Sequence, residues 1–257
     1  MFVLIVLTVI TLCNCETTGY TDELAREYMF VMSAAAYSDK PGECMRKFKN
    51  ATIYNQTYAE CTGNCSGFTA VMHEEQAIVL SFRGTTDMQQ LFAEIKESTF
   101  KEWVGFYLMG DYGISNWTHG GRVSKYFHDA FLSLWNGGME KDFKNLTTYY
   151  QNYEIWVTGR SLGGALATLA ASVVAGQHNQ TNVKLVTFGQ PRVNISYRVI
   201  YWSDVVPTVP CYFVQGFRHQ GIEVFYSDMD STTNSKHTEE GIVGAADSCI
   251  IVLFDIT

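Results

Sequence analysis

The sequence predicts an α/β fold in which a mostly parallel central sheet carries helices on both faces. Segments rich in β-branched and aromatic residues alternate with segments whose apolar residues recur at helical spacing, an order typical of such folds. The length of 257 residues and a hydrophobic share of 47% suit one sizeable domain with a full core. No internal repeat or low-complexity linker interrupts the pattern, so we predict a single domain over residues 16–257.

The predicted strands are short apolar runs bounded by turn residues. They cover residues 68–72, 77–82, 153–158, 183–188, 197–202 and 249–256. The clearest helix spans residues 122–135, where apolar residues recur at intervals of three and four until Asn136-Gly137-Gly138 ends the helix. Further helices are predicted over residues 22–36, over residues 139–150 and directly after Gly164.

The most informative feature is the run Gly159-Arg160-Ser161-Leu162-Gly163-Gly164, which separates a predicted strand from an Ala/Leu-rich helix. A serine on a tight turn between a strand and a helix is the nucleophile elbow of α/β-hydrolases. The turn requires small residues two before and two after the serine, where Gly159 and Gly163 stand. The Leu162 N–H would lie at the helix N-terminus, where it can donate to a developing oxyanion. The alternative is a structural glycine-rich turn, because G-x-S-x-G also occurs by chance.

The net charge and the apolar N-terminal segment exclude some classes of function and indicate a cellular location. The formal net charge is −8 and no basic cluster stands out, which argues against nucleic-acid binding. Residues 2–12 are apolar apart from two threonines, a run too short to span a bilayer, and they lead into Cys13-Asn14-Cys15 before Glu16. We therefore expect residues 1–15 to be a secretory signal peptide and the protein to be extracellular, with no transmembrane segment.

Sequons for N-glycosylation agree with secretion. The motif N-x-[ST] occurs seven times, and we take six of these as glycosylation candidates. The six candidates are Asn50, Asn55, Asn64, Asn116, Asn145 and Asn179, and the seventh sequon is at Asn194. The alternative is chance occurrence in a sequence rich in Asn and Thr.

Five cysteines follow the signal segment, and most should pair in an oxidising compartment. Cys211 and Cys249 are disulfide candidates that would attach the C-terminal segment to the domain. Cys44, Cys61 and Cys65 cannot all pair with one another, so one thiol is left over. We expect no metal site, because no second Cys or His pair lies at zinc spacing.

Four motifs in order carry a specific resemblance. They are Ser81-Phe82-Arg83-Gly84-Thr85, the run from Thr158 to Ala167, Thr187-Phe188-Gly189-Gln190-Pro191-Arg192-Val193, and Asp204-Val205-Val206-Pro207 followed by Val209-Pro210. Together they resemble the class 3, fungal-lipase-like family in its secreted animal form, over roughly residues 23–226. The resemblance implies an α/β-hydrolase fold and a serine esterase that acts on lipid esters.

The resemblance also implies roles for matching positions. Ser161 would be the catalytic nucleophile, and Asp204 would be the acid that orients the catalytic base. Thr85 and Leu162 would supply the oxyanion hole, and residues 87–113 would hold a lid over an apolar site. The alternatives are an ordinary turn aspartate at position 204 and a plain surface helix in place of the lid.

Three departures from the family pattern stand out. Arg160 occupies the place where the family usually has His. Only three residues separate Val193 from Tyr197, where the family generally has a short helix, so the flanking strands are joined tightly for a parallel crossover. The third departure concerns the base.

The order Ser…Asp…His requires a base after Asp204, where only His219 and His237 occur. His219 lies in a segment that matches a family segment whose His is not the base. His237 lies in a polar run and is either a substitute base or an exposed histidine. Counting along the family pattern puts its base at or beyond Thr257.

Three hypotheses on function follow. The first is a secreted lipase or carboxylesterase that uses an acyl-Ser161 intermediate on lipid or small esters, at a lipid–water interface, as a monomer without metal or organic cofactor. The second is a catalytically impaired homologue that binds lipid. The third is an incomplete product of a gene that encodes an active enzyme. Because the base is missing from its family position, this chain should hydrolyse short acyl esters poorly.

Overall fold

The computed structural model describes residues 21–61, 64–84, 113–118, 121–178, 180, 182–191 and 193, together with the backbone of four later strands. The strands are β1 Ala51–Ala59, β2 Cys65–Met72, β3 Ala77–Arg83, β4 Ile114–Asn116, β5 Arg122–Ser124, β6 Glu154–Arg160, β7 Val183–Phe188, β8 Arg198–Tyr201, β9 Gly221–Tyr226, β10 Lys236–Glu240 and β11 Ile250–Leu253.

Helices account for most of the remaining described residues. The α-helices are α1 Phe30–Ala35, α2 Pro41–Cys44, α3 Lys125–Leu134, α4 Glu140–Tyr149 and α5 Leu162–Gly176. A π-helical segment, Leu24–Met29, runs directly into α1, and a second one, Trp135–Met139, joins α3 to α4. No helix among the described residues is long and apolar enough to cross a membrane.

The main sheet has the strand order β1-β2-β3-β6-β7-β8-β9-β10, with β11 alongside β7. The pairs β3–β6, β6–β7, β7–β8, β8–β9 and β7–β11 are parallel, and the other three pairs are antiparallel. Strands β4 and β5 form a separate hairpin. The prediction of a mostly parallel sheet is therefore confirmed, with antiparallel strands at both ends of the strand order.

Both faces of the central strands are buried, and successive side chains enter different cores. Along β3, Ile78, Leu80 and Phe82 belong to the core under α3, α4 and α5, whereas Ala77 and Val79 belong to the core under α1. This alternation follows from the two-residue period of a strand. Burial on both faces explains why the central strands are almost continuously apolar in sequence and confirms that helices cover both faces.

Local structure departs from the sequence prediction at several elements. The helix predicted over residues 122–135 begins at Lys125, because residues 122–124 pair with β4 as a strand. Strand β1 was not predicted, since as an edge strand it alternates between exposed and half-buried positions and is rich in polar residues. Gly138 ends the helical run as expected, with a φ of 151°.

Strand β7 has two neighbours, β8 and β11, along its second edge. Strand β8 contacts β7 through the single pair Phe188↔Val199, while β11 lies along Lys184–Thr187 of β7. Strand β11 therefore covers most of the second edge of β7. The tight connection expected from the sequence coincides with this minimal β7–β8 pairing.

Phe131 of α3 packs in the core near Phe82 at the end of β3. We expect its truncation to destabilise the domain. Its buried ring lies 5.5 Å from that of Trp135, 5.7 Å from that of Trp117 and 6.5 Å from that of Phe82, between ring centroids. Phe131→Ala should lower the free energy of unfolding by about 3–5 kcal/mol, measured by urea denaturation. Tyr149→Ala is the matched control, because this ring is 78% exposed, and should change stability by no more than about 0.5 kcal/mol. Equal stability of the two variants would contradict the packing described.

Candidate active site

Ser161 lies at the sharp turn where β6 ends and α5 begins. It is the N-cap residue of α5 and has φ 53° and ψ −126°. A positive φ is uncommon for a residue other than glycine and is found where the surroundings impose it. The side chain is largely buried, so this turn is a fixed part of the core and not a surface loop.

Gly159 and Gly163 allow the close approach of backbone segments that the turn requires. A Cβ on Gly163 would lie 2.2 Å from the Phe82 carbonyl oxygen of β3. A Cβ on Gly159 would lie 2.2 Å from the Gly163 carbonyl oxygen. These separations are far below van der Waals contact, so both positions require glycine on steric grounds.

The peptide groups around Ser161 are held by hydrogen bonds. The Ser161 N–H donates to the Phe188 carbonyl at the end of β7, at 2.8 Å. The Ser161 carbonyl accepts from the N–H groups of Gly164 and Ala165, at 2.9 and 3.3 Å. Leu162 is the first residue of α5, so its N–H has no partner within the helix. The turn thus presents a backbone donor at a helix N-terminus beside the serine.

The Ser161 hydroxyl is buried and makes no hydrogen bond to any described residue. A base that accepts its proton must therefore come from another part of the chain. Asp204 and His219 lie outside the described residues. His237 lies in β10, whose backbone alone is described, opposite Val224 of β9. The described structure brings no acid or base to Ser161.

The other predicted oxyanion residue, Thr85, lies outside the described residues, as does the lid segment up to residue 112. The residue before Thr85 is described, and it lies against the turn. A Cβ on Gly84 would be 3.0 Å from the Leu162 Cβ and 3.3 Å from the Leu162 nitrogen. The carboxyl end of β3 therefore reaches the same corner of the molecule as Ser161.

A buried polar cluster, which was not predicted from the sequence, attaches α5 to β7. The Gln190 Oε1 accepts hydrogen bonds from Thr168 of α5, at 2.9 Å, and from Thr187 of β7, at 2.5 Å. A Cβ on Gly164 would lie 3.1 Å from the Gln190 Cβ. The placement of Gln190 within the motif Thr187–Val193 was the available signal, but its partner on α5 is visible only in the folded protein.

The cysteines follow the expectation in part. Cys61 and Cys65 form a disulfide across the turn between β1 and β2, with Cα atoms 5.7 Å apart, and Cys44 is the exposed thiol left over. Cys211 and Cys249 lie outside the described residues. Within those residues no group of His, Cys, Asp and Glu has the arrangement of a metal site.

The asparagines of the sequons differ in their surroundings. Asn50, Asn55, Asn64 and Asn116 are exposed, and the Asn55 Nδ2 also donates to the buried Asp142 carboxylate at 2.9 Å. Asn145 is half-buried and donates to the Tyr54 hydroxyl at 3.3 Å. Asn179 and Asn194 lie outside the described residues.

The contact between Gly163 and β3 yields a direct test. Gly163→Ala should lower the free energy of unfolding by about 3 kcal/mol or more, because neither β3 nor α5 can move aside without disturbing the core. Gly42→Ala is the matched control, since its new Cβ would meet the Ile53 side chain at an ordinary 3.5 Å. Both are measured by thermal and urea unfolding. A Gly163→Ala protein as stable as the control would show that the backbones do not touch.

Comparison with known proteins agrees with this geometry. Residues 79–213 match the family model described as Lipase (class 3). The chain is 35% identical over 217 residues to Lipase ZK262.3 of Caenorhabditis elegans, covering 76% of this chain and 57% of that protein. It is 26% identical over 211 residues to the secreted mono- and diacylglycerol lipase A of Penicillium cyclopium, covering 76% and 63%.

The same fold is seen in a solved structure. The triacylglyceride lipase of Rhizomucor miehei superposes with a TM-score of 0.65 at 23% identity, covering 81% of this chain and 82% of that one. The chain spans about three fifths of the length of the two curated relatives named above. The family match extends from β3 through the Ser161 turn and past β8, and it covers more than half of the chain. The chain therefore belongs to the class 3 lipase family and has its α/β-hydrolase fold.

Proposed function

We propose that this protein hydrolyses lipid esters through a covalent acyl intermediate on Ser161. The observation that carries the proposal is the conformation of Ser161, a strained residue whose hydroxyl lies at the start of α5 beside the Leu162 N–H. Strained backbone of this kind is concentrated at functional sites. The names of the relatives, which include mono- and diacylglycerol lipases, support a lipid ester as the substrate class.

In the proposed reaction, the Ser161 Oγ attacks the carbonyl carbon of the ester while a base removes the hydroxyl proton. The carbonyl oxygen becomes an oxyanion that accepts hydrogen bonds from the Leu162 N–H and from Thr85. Collapse of this intermediate expels the alcohol, which takes the proton from the base, and leaves an acyl-Ser161 ester. Water, activated by the same base, then releases the fatty acid and restores the hydroxyl.

Asp204 is the proposed acid that orients the base. The base is either His237 or a histidine that the family pattern puts at or beyond Thr257. Support for these roles comes from the motif order and from the position of Gly84, the neighbour of Thr85, against Leu162. The proposed reaction uses no metal or organic cofactor, and the protein acts as a monomer on lipid at an interface.

We further propose that the protein is secreted and glycosylated, with residues 1–15 removed. The relatives include proteins named as secreted lipases. The exposed positions of Asn50, Asn64 and Asn116 support glycan attachment at those residues. The Cys61–Cys65 disulfide agrees with an oxidising compartment.

The catalytic proposal is tested with short and long acyl esters and with a fluorophosphonate probe that labels activated serines. With His237 as a substitute base, the protein should label at Ser161 and turn over p-nitrophenyl butyrate slowly, because His237 does not stand at the family spacing after Asp204. Ser161→Ala should abolish labelling and turnover, and Asp204→Asn should lower turnover by about a hundredfold or more.

The base is assigned by His237→Ala. A loss as large as that in Ser161→Ala identifies His237, whereas unchanged turnover points to another base. Rapid hydrolysis that persists in Ser161→Ala would contradict the proposed mechanism. Lipid-vesicle binding without any labelling of Ser161 would favour the impaired, lipid-binding homologue.

Secretion is tested by expressing the chain from its first residue in animal cells. We expect the protein in the medium with Glu16 as its first residue and a lower mass after enzymatic removal of N-glycans. Asn50→Gln, Asn64→Gln and Asn116→Gln should each reduce the mass by one glycan, because these side chains are exposed. Retention in the cells with no mass change after glycan removal would contradict the proposal.

A further inference from the structure

We propose that Tyr37, in the turn that follows α1, is a positioning residue that fixes the backbone of the nucleophile turn. This inference rests on the proposed role of Ser161. The Tyr37 hydroxyl donates a hydrogen bond to the carbonyl oxygen of Arg160, the residue immediately before the serine, at 3.2 Å. The two residues lie 123 positions apart in the chain, so the contact exists only in the folded protein.

Two peptide units flank the Cα atom of Ser161, and three of their four polar groups are held by hydrogen bonds. The Arg160 carbonyl accepts from Tyr37, the Ser161 N–H donates to Phe188, and the Ser161 carbonyl accepts from Gly164 and Ala165. The fourth group is the Leu162 N–H, the proposed oxyanion donor. The Arg160 carbonyl is bound by a side chain, that of Tyr37, whereas the described partners of the other two groups are backbone groups.

These bonds determine the conformation of the serine. The peptide between Arg160 and Ser161 is held on its carbonyl side by Tyr37 and on its N–H side by Phe188, so its plane cannot rotate. The orientation of that plane sets the φ angle of Ser161, which is 53°. A strained φ persists only where the surroundings over-determine it. Tyr37 supplies one of the hydrogen bonds that restrain that plane.

Tyr37 is itself held in place. Its N–H donates to the Ala34 carbonyl at 3.0 Å, and the carbonyl of the next residue, Ser38, accepts from the Gln56 side chain of β1 at 3.0 Å. The helix that precedes it is attached to the sheet by two buried hydroxyls. Ser81 of β3 donates to the Met32 carbonyl at 2.9 Å, and Thr158 of β6 donates to the Met29 carbonyl at 3.3 Å.

Loss of the Tyr37 hydroxyl should therefore affect chemistry more than binding. Tyr37→Phe keeps the ring but leaves the Arg160 carbonyl without this donor, so the peptide plane gains freedom. The Ser161 Oγ and the Leu162 N–H would then spend less time in the reactive geometry, while the groups that contact the acyl chain stay in place. We expect kcat to fall about three- to tenfold, the effect of one neutral hydrogen bond, with KM changed less than twofold.

The experiment compares Tyr37→Phe with Thr158→Val in the full chain. Thr158→Val removes another hydrogen bond from a side-chain hydroxyl to a carbonyl, the one between β6 and Met29. It does not change the hydrogen bonds of the peptide before Ser161. Three quantities are measured: the rate constant for fluorophosphonate labelling of Ser161, kcat and KM on p-nitrophenyl butyrate, and amide hydrogen exchange in the peptide covering residues 159–165. Thermal unfolding of both variants monitors stability.

We expect Tyr37→Phe to label three- to tenfold more slowly and to exchange faster in residues 159–165, with Thr158→Val like the parent protein in both. Equal behaviour of the two variants, unchanged labelling and exchange in Tyr37→Phe, or failure of Tyr37→Phe to fold would each overturn the positioning role. No labelling of Ser161 in the parent protein would count against the proposed function. The exchange comparison would still decide the role of Tyr37 in that case.

Discussion

The contact between three backbones at the Ser161 turn constrains everything else near the site. Gly163 at the start of α5 touches the Phe82 carbonyl of β3, and Gly159 at the end of β6 touches Gly163 in turn. No side chain fits between these segments, so their separation is set by the size of main-chain atoms. Because α5 begins at this contact, the direction of the helix and the position of the Leu162 N–H follow from it.

The rest of the domain maintains that contact from two sides. On one face, α5 is buried over most of its length against the sheet and α3, and the Gln190 cluster holds its first turns to β7. On the other face, the helix ending at Ala35 is attached to β3 and β6 through buried hydroxyls. Each such hydrogen bond contributes about 1 kcal/mol, so several are needed to offset the strain at Ser161.

Local sequence signals predicted the central strands that are buried on both faces and the helices with a clear apolar period, and they missed the edge strand β1. The limits of β7 were predicted residue by residue, because its apolar run ends at a glycine that takes a positive φ. Strand β1 was missed because most of its residues are exposed or half-buried and many are polar. It is recognised in the structure by its antiparallel pairing with β2. The start of α3 was misplaced for a related reason, because the apolar period continues through residues that pair with β4.

The candidate site also has features that the local sequence predicts and features that only the fold brings together. The placement of Ser161 and Leu162 follows from glycines two residues away, which is information carried within six positions of the chain. The link to Gln190 and the link to Tyr37 join residues from 22 to 123 positions apart, and no local pattern encodes such pairs. Thr85 and Asp204 were assigned through resemblance alone, because a loop and a turn residue carry no periodic signal of their own.

The Ser161 hydroxyl is buried without a hydrogen-bond partner among the described residues. A buried hydroxyl without a hydrogen bond costs about 1–3 kcal/mol, and among the described residues this one has no partner. By contrast, the buried hydroxyls of Ser81 and Thr158, on the α1 face of the sheet, donate to carbonyl oxygens. Ser161 is the N-cap residue of α5 with a φ of 53°, and its side chain makes no cap hydrogen bond to that helix. In the proposed mechanism, a serine oxygen that is not bonded to its own helix is available to a base and to an ester.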